Sequence, residues 1–149
     1  FDNLVEFNRG WAHRAAALIV VLSQKRYLPP GAAESQANSS HSFDAGAAWA
    51  SLAFQATLSG WHAHGLGGFN RDGVRQALGI PDDYAIEAVI AIGRLGDKAS
   101  LPEALQERES PSGRRPLTEL VADGRFAFQG RSRPFSHWAL SRFAPSETL

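Results

Sequence analysis

Phe43-Asp44-Ala45-Gly46-Ala47-Ala48-Trp49-Ala50-Ser51-Leu52-Ala53-Phe54-Gln55-Ala56 reads as a helix with no evident solvent side. Ser42 stands where an N-cap belongs, and Asp44 puts a negative charge in the first turn, where the helix dipole favours it. The helix is expected to run from Phe43 to Ser59, with Gly60 as its C-terminal stop. Ala45, Gly46, Ala47, Ala48, Ala50, Ser51 and Ala53 all fall within nine positions, so another element can approach the axis closely. Trp49, Leu52, Phe54 and Leu58 add apolar surface nearly all round. Such a helix belongs in the centre of a core or at a subunit interface, and the residues alone leave both open.

Upstream, Leu4, Phe7 and Trp11 recur at helical spacing, so Leu4–Ala12 is expected to end a helix with those three on one face. Ala16-Ala17-Leu18-Ile19-Val20-Val21-Leu22-Ser23 lacks polar alternation and reads as a strand buried on both faces. Tyr27 to His41 is expected to be a loop. Downstream, Trp61 to Phe69 is a short extended segment ending in glycines. Arg71–Leu78 is a helix stopped by Gly79 and Pro81, and Asp82-Asp83 is a solvated turn. Tyr84–Gly93 is a second apolar strand. A helix is expected over Leu101–Glu109, and Pro116 opens a short one over Leu117–Val121. Beyond Gly124 the pattern decays. Strands interspersed with helices indicate an α/β or α+β domain.

A chain of 149 residues fits one domain, and 44% hydrophobic content rules out disorder. The absence of Cys excludes disulfides, thiolate nucleophiles and cysteinyl metal sites. Fifteen basic against fifteen acidic residues argue against a protein built to live on nucleic acid or anionic membrane. The longest apolar run, Ala15–Leu22, is far short of the ~20 residues that span a bilayer. No secretory signal opens the chain, so a soluble, cytoplasmic domain is expected. Because the sequence opens on Phe1 and contains no Met, it is also expected to be part of a longer or processed protein.

Few residues invite acid–base or metal chemistry. His62 and His64 would share one strand face, but no carboxylate pair completes a metal site, and no Gly-x-Ser-x-Gly elbow is present. Gly65-Leu66-Gly67-Gly68 is the sharpest local feature. Without Cβ atoms, its backbone N–H groups can approach a planar or anionic ligand, although taken alone a plain strand-to-helix turn is the favoured reading. It is neither a Walker loop nor a dinucleotide fingerprint. In Gly113-Arg114-Arg115-Pro116, paired guanidinium groups could clamp a phosphate, or simply be solvated. A mononucleotide with a planar ring and one phosphate would need both features.

In this order the pieces resemble the nitroreductase family. The resemblance rests on the helix Phe43–Ala56, then Gly60-Trp61-His62-Ala63-His64-Gly65-Leu66-Gly67-Gly68-Phe69 and the helix Val74–Leu78. It continues through Gly79-Ile80-Pro81-Asp82-Asp83, the strand Ala88–Gly93, and Arg114-Arg115-Pro116-Leu117. It covers Leu4 to Phe126, and implies a domain over residues 1–126 with a tail over 127–149. The implied fold is α+β, a mixed and mostly antiparallel sheet flanked by helices, dimeric, with FMN at the subunit interface. Carried over, the N–H groups of Gly67 and Gly68 would meet the flavin N5 and O4 edge, and Gly65 and Leu66 would line one ring face. Arg114, with Arg115 as second choice, would meet the phosphate, and the small-residue helix would pack across the dimer axis. His41 and Phe43 would border the acceptor pocket.

The implied activity is electron transfer from NAD(P)H through FMN to an electron-poor acceptor such as a nitroaromatic or quinone, with no side chain as general acid or base. Two family features are missing, an Arg-Ser-x-Arg-like phosphate motif and a Pro-Ser-x-x-Asn-x-Gln-Pro-Trp-like segment. The alternative is therefore a truncated or non-catalytic dimerisation domain without tight flavin binding. A third reading, nucleic-acid binding by the Arg125–Arg133 tail, is opposed by the zero net charge.

Overall fold

The computed structural model describes residues 1–125; Phe126 and the expected tail over 127–149 lie outside the described residues. The chain divides into two compact units, Phe1–Arg108 and Glu109–Leu149.

In the first unit, α1 (Glu6–Ala12) leads into β1 (Ala17–Gln24), and a small ladder of β2 (Arg26–Tyr27) with β3 (Gln36–Ala37) precedes α2 (His41–Leu58). Then come β4 (His62–Leu66), α3 (Arg71–Leu78) and β5 (Tyr84–Gly93). The main sheet has three strands in the order β1-β5-β4, and every ladder among the described residues is antiparallel. The α+β architecture is thus as expected. The ladder of β2 and β3 falls inside the segment expected to be loop.

The strand β5 lies between two partners, and Ile90 on it has no exposed surface. On one side of the sheet, α1 and α3 close a core of Leu4, Ala12, Leu66, Phe69, Val74, Ile80, Ile86, Val89 and Ala91. On the other side α2 crosses β1 and β4, and Ala45 and Ala56 are its only buried residues. The helix α3 is held by local chemistry. The Asn70 side chain accepts from Gly73 N at 3.1 Å at its start, and Gly79 ends it at φ 62°, a left-handed conformation that glycine adopts without strain.

Several expectations are corrected. β1 is not buried on both faces: it is an edge strand, and Ser23 is its one buried residue. Its unbroken apolar run reflects partial cover on both faces, by α2 on one and by packing of Leu18 and Val20 against the α1/α3 core on the other, rather than a central position. In α1 the buried stripe is Leu4–Asn8–Ala12, not Leu4–Phe7–Trp11; Phe7 is exposed, with the Arg108 guanidinium 4.9 Å above its ring. The helix α2 begins two residues early, after Ser40, because the Ser42 hydroxyl bonds elsewhere (below). Leu101–Glu109 shrinks to the four-residue α4 (Glu103–Gln106), preceded by a 3₁₀ turn at Lys98–Ser100. In the second unit, Pro116 opens only a 3₁₀ turn, Leu117–Glu119.

Candidate functional site

Strand alternation sorts the residues leading into the glycine bend. Leu66 points into the α1/α3 core and is 3% exposed, so backbone is all it can offer a ligand. His64, on the same face, lies edge-on to Trp11 with ring centroids 5.0 Å apart. Gly65 faces α2, where an added Cβ would stand 3.4 Å from the Trp49 ring. That is ordinary van der Waals contact, so packing alone does not require glycine there.

The next two glycines differ sharply. A Cβ on Gly68 would come within 2.9 Å of both Asn8 Nδ2 and Val5 Cγ2, tighter than real side chains pack. A Cβ on Gly67 would meet nothing within 4 Å. The bend is thus closed behind Gly68 and open at Gly67. Its carbonyls are engaged: Gly67 O accepts from Phe69 N at 3.2 Å, and Gly68 O accepts from Val5 N at 3.1 Å and Asn8 Nδ2 at 2.9 Å. Neither the Gly67 nor the Gly68 N–H finds an acceptor among the described residues. Two amides without a partner beside a side-chain-free surface suit the edge of a planar ligand carrying acceptor atoms.

A polar cluster stands at the same end of the sheet. The register of β1 against β5 passes from Val21↔Ala88 to Leu22↔Ile86, so Glu87 is an extra residue in a bulge. Bulges re-aim side chains, and this one turns Glu87 toward the start of α2. Glu87 Oε1 accepts from Ser23 Oγ at 2.5 Å and from Ser42 Oγ at 2.7 Å, and lies 3.5 Å from His41 Nδ1. Ser23 Oγ is also 2.8 Å from His41 Nδ1. The hydroxyls of Ser23 and Ser42 hold the Glu87 carboxyl below the usual glutamate range against the opposing effect of burial, and His41 adds a smaller attraction. Serine and carboxylate converge on one imidazole nitrogen, so the cluster is not a nucleophilic triad, which needs them on opposite nitrogens.

Beside this cluster, a concavity of about 260 Å³ is walled by residues that include Leu22, Gln24, Asn38, His41 and Ala48. Of the two residues expected at an acceptor pocket, His41 lines this concavity, whereas Phe43 is 81% exposed on α2. Arg114 and Arg115 lie in the second unit, both exposed; Arg114 Nη1 donates to Ser112 O at 3.0 Å and to Ser112 Oγ at 2.9 Å.

Asn8, Ser23 and Glu87 were not among the residues expected from sequence. Glu87 carried a signal, being the one charge inside the apolar strand Tyr84–Gly93. Asn8 carried a weaker one, its i, i+4 spacing from Leu4 and Ala12. Ser23 carried none.

The nitroreductase family profile matches residues 2–94. The chain belongs to the nitroreductase family. The match spans the sheet, the bend and the polar cluster. A solved oxidoreductase containing FMN is 47% identical to this nitroreductase-family chain and superposes with a TM-score of 0.80 over 85% of it. A nitroreductase family protein from Clostridium difficile 630 shares the fold at 21% identity and a TM-score of 0.53, over 76% of the chain. The chain spans 63% and 62% of the lengths of those two proteins. A 15.4 kDa Mycolicibacterium smegmatis protein from the ask 5′ region, described as uncharacterized, is 37% identical over 124 residues, which cover 83% of this chain and 80% of that one. Among the described residues, no helix is long and apolar enough to cross a membrane.

Proposed function

We propose that this chain is the flavin-holding part of an FMN-dependent oxidoreductase that takes electrons from NAD(P)H and passes them to an electron-poor acceptor such as a nitroaromatic or quinone. The observation that carries this reading is the bend at Gly67 and Gly68, which among the described residues is closed behind and open in front, with two amides lacking acceptors. Membership of the family and 47% identity to an oxidoreductase containing FMN support it.

The residues fit a flavin edge. Gly67 and Gly68 would donate to ring acceptor atoms, and Gly65 and Leu66 would border one ring face with backbone only. Bound FMN would supply the two-electron chemistry itself. The chain supplies oriented amide dipoles where negative charge gathers, which act without reorganisation. His41, held by Ser23 and Glu87, would border the space for the acceptor.

A homodimer is part of the proposal. Phe43, Phe54 and Leu58 on α2 are 81%, 70% and 83% exposed. Beside the helix runs a shallow apolar depression of about 390 Å³, walled by residues that include Ile19, Leu52, Ala56 and Trp61. A second α2 packed across the outward face of this helix would bury Phe43, Phe54 and Leu58.

The test is titration of the purified chain with FMN, followed by flavin fluorescence and by bleaching with NADH or NADPH. Uptake of FMN is expected. Gly67→Ala is expected to leave folding intact, since its Cβ meets open space, yet to weaken FMN by about tenfold, because that space is where the ring would approach. A dimer that takes up no FMN would identify the non-catalytic alternative instead.

A further inference from the structure

The described residues place one buried polar side chain directly behind the glycine bend. Asn8 is 8% exposed, and its Nδ2 donates to Gly68 O at 2.9 Å, across sixty residues of sequence. We propose that Asn8 is a positioning residue that aims the Gly68 N–H at the flavin edge; this rests on the flavin reading above.

Peptide planarity carries the effect forward. Asn8 Nδ2 and Val5 N grip the carbonyl of Gly68 from one side. In a trans peptide the N–H points opposite to the C=O, so gripping this carbonyl directs the Phe69 N–H of the same unit. That N–H donates to Gly67 O at 3.2 Å, closing a three-residue turn. With the Gly67 carbonyl fixed, the Gly68 N–H of its own peptide unit must point the other way. Two peptide planes are thereby set in series from a side chain on α1. Glycines at both positions would otherwise leave these planes the freest in the chain. The Val5 amide alone is a single grip and leaves rotation about it. Asn8 adds the second, and the absence of a Cβ on Gly68 lets it come close enough. Adjacent to this, Asn70 N donates to Asn3 O at 2.7 Å and Leu4 bridges Phe69, so the N-terminal segment is already anchored without Asn8. The Asn8 bond is therefore surplus to anchoring and specific to the plane of Gly68.

The experiment compares wild type, Asn8→Ala, Asn8→Asp and Val5→Ala as full chains. FMN Kd is measured by fluorescence, the midpoint potential of bound flavin by dye equilibration, and melting of each chain without FMN. Asn8→Ala should melt cooperatively yet bind FMN about fivefold more weakly, with the midpoint potential moved to more negative values. Asn8→Asp, which sets an acceptor against a carbonyl, should lose more. Val5→Ala keeps its backbone donor and should stay within about twofold of wild type. Should either Asn8 variant fail to fold, NMR of the wild-type chain decides: with FMN bound, the Asn8 side-chain amide protons should exchange slowly and the Gly68 N–H resonance should shift. Folded Asn8 variants with wild-type Kd and potential, or an Asn8 amide exchanging like an exposed one, would overturn the role of Asn8 while leaving the flavin reading intact. A wild-type chain that takes up no FMN would overturn both.

Discussion

The two sides of the sheet share their strands and differ in how much one chain can finish. On the α1/α3 side, Leu66, Phe69, Val74, Ile80, Ile86 and Val89 are each 8% exposed or less. On the α2 side, Ile90, Ala45 and Ala56 form a sealed line under the helix, yet Phe43, Phe54 and Leu58 stand 70% exposed or more. The helix α2 is as apolar as any core element: Ala45, Trp49 and Ala56 lie toward the sheet, and Phe43, Phe54 and Leu58 lie away from it. A helix that only had to cover this sheet would carry polar side chains at those three outward positions. The closed side supplies the stability of the unit, and the open side supplies a surface whose completion we assign to a second copy.

The largest expected effect lies on the closed side. Ile86→Ala removes a side chain from the α1/α3 core and should cost about 3 kcal/mol, read as a lowered urea midpoint with the slope unchanged. A loss below about 1 kcal/mol would mean that this side is not the tightly packed one, and the contrast between the faces would fail.

Much of this contrast was legible in sequence. Tyr84–Gly93 and Arg71–Leu78 are found at the expected residues because each is bounded by strong local signals: turn carboxylates before the strand, and Gly79 and Pro81 after the helix. The small-residue helix was also legible, as was its fitness for either core or interface. What stayed hidden depends on partners distant along the chain. A run of eight apolar residues cannot tell an edge strand from a central one, so β1 was misread. Ser42 looks like a cap until Glu87, forty-five residues away, takes its hydroxyl. In the glycine segment, sequence shows three residues without side chains, suited to close approach, but not what approaches. Trp49 lies in ordinary contact with Gly65, Val5 and Asn8 leave no room for a side chain on Gly68, and Gly67 alone of the three faces open space among the described residues.

The polar cluster joins the two sides, and its removal should have an intermediate effect. Glu87→Gln keeps the shape but removes the charge that Ser23, Ser42 and His41 favour, and should cost about 1–2 kcal/mol at neutral pH. The same residue sets an acid limb. Its folded-state pKa is lowered from an ordinary value of 4.5, so its contribution is complete above that pH and is lost as pH falls through the folded value. Wild type should therefore lose stability on acidification more steeply than Glu87→Gln, as read from urea midpoints at several pH values. Parallel curves would show that the serine hydroxyls do not favour the charged form.

The smallest effect on a single chain should come from the open side, and there the comparison is sharpest. Leu58→Ala changes a residue that is 83% exposed, so the stability of an isolated chain should move by no more than about 0.5 kcal/mol. Phe54→Ser with Leu58→Ser should likewise leave the secondary structure intact. If a second copy covers this face, the same pair of changes should turn a dimer into a monomer in sedimentation equilibrium, because deleting large apolar side chains from the centre of an interface removes most of its driving force. Substitutions that cost a monomer little and an assembly nearly everything mark a surface shaped by its partner rather than by its own sheet. A wild-type chain that sediments as a monomer at every concentration would remove the second copy, and the exposure of Phe43, Phe54 and Leu58 would then need a different occupant.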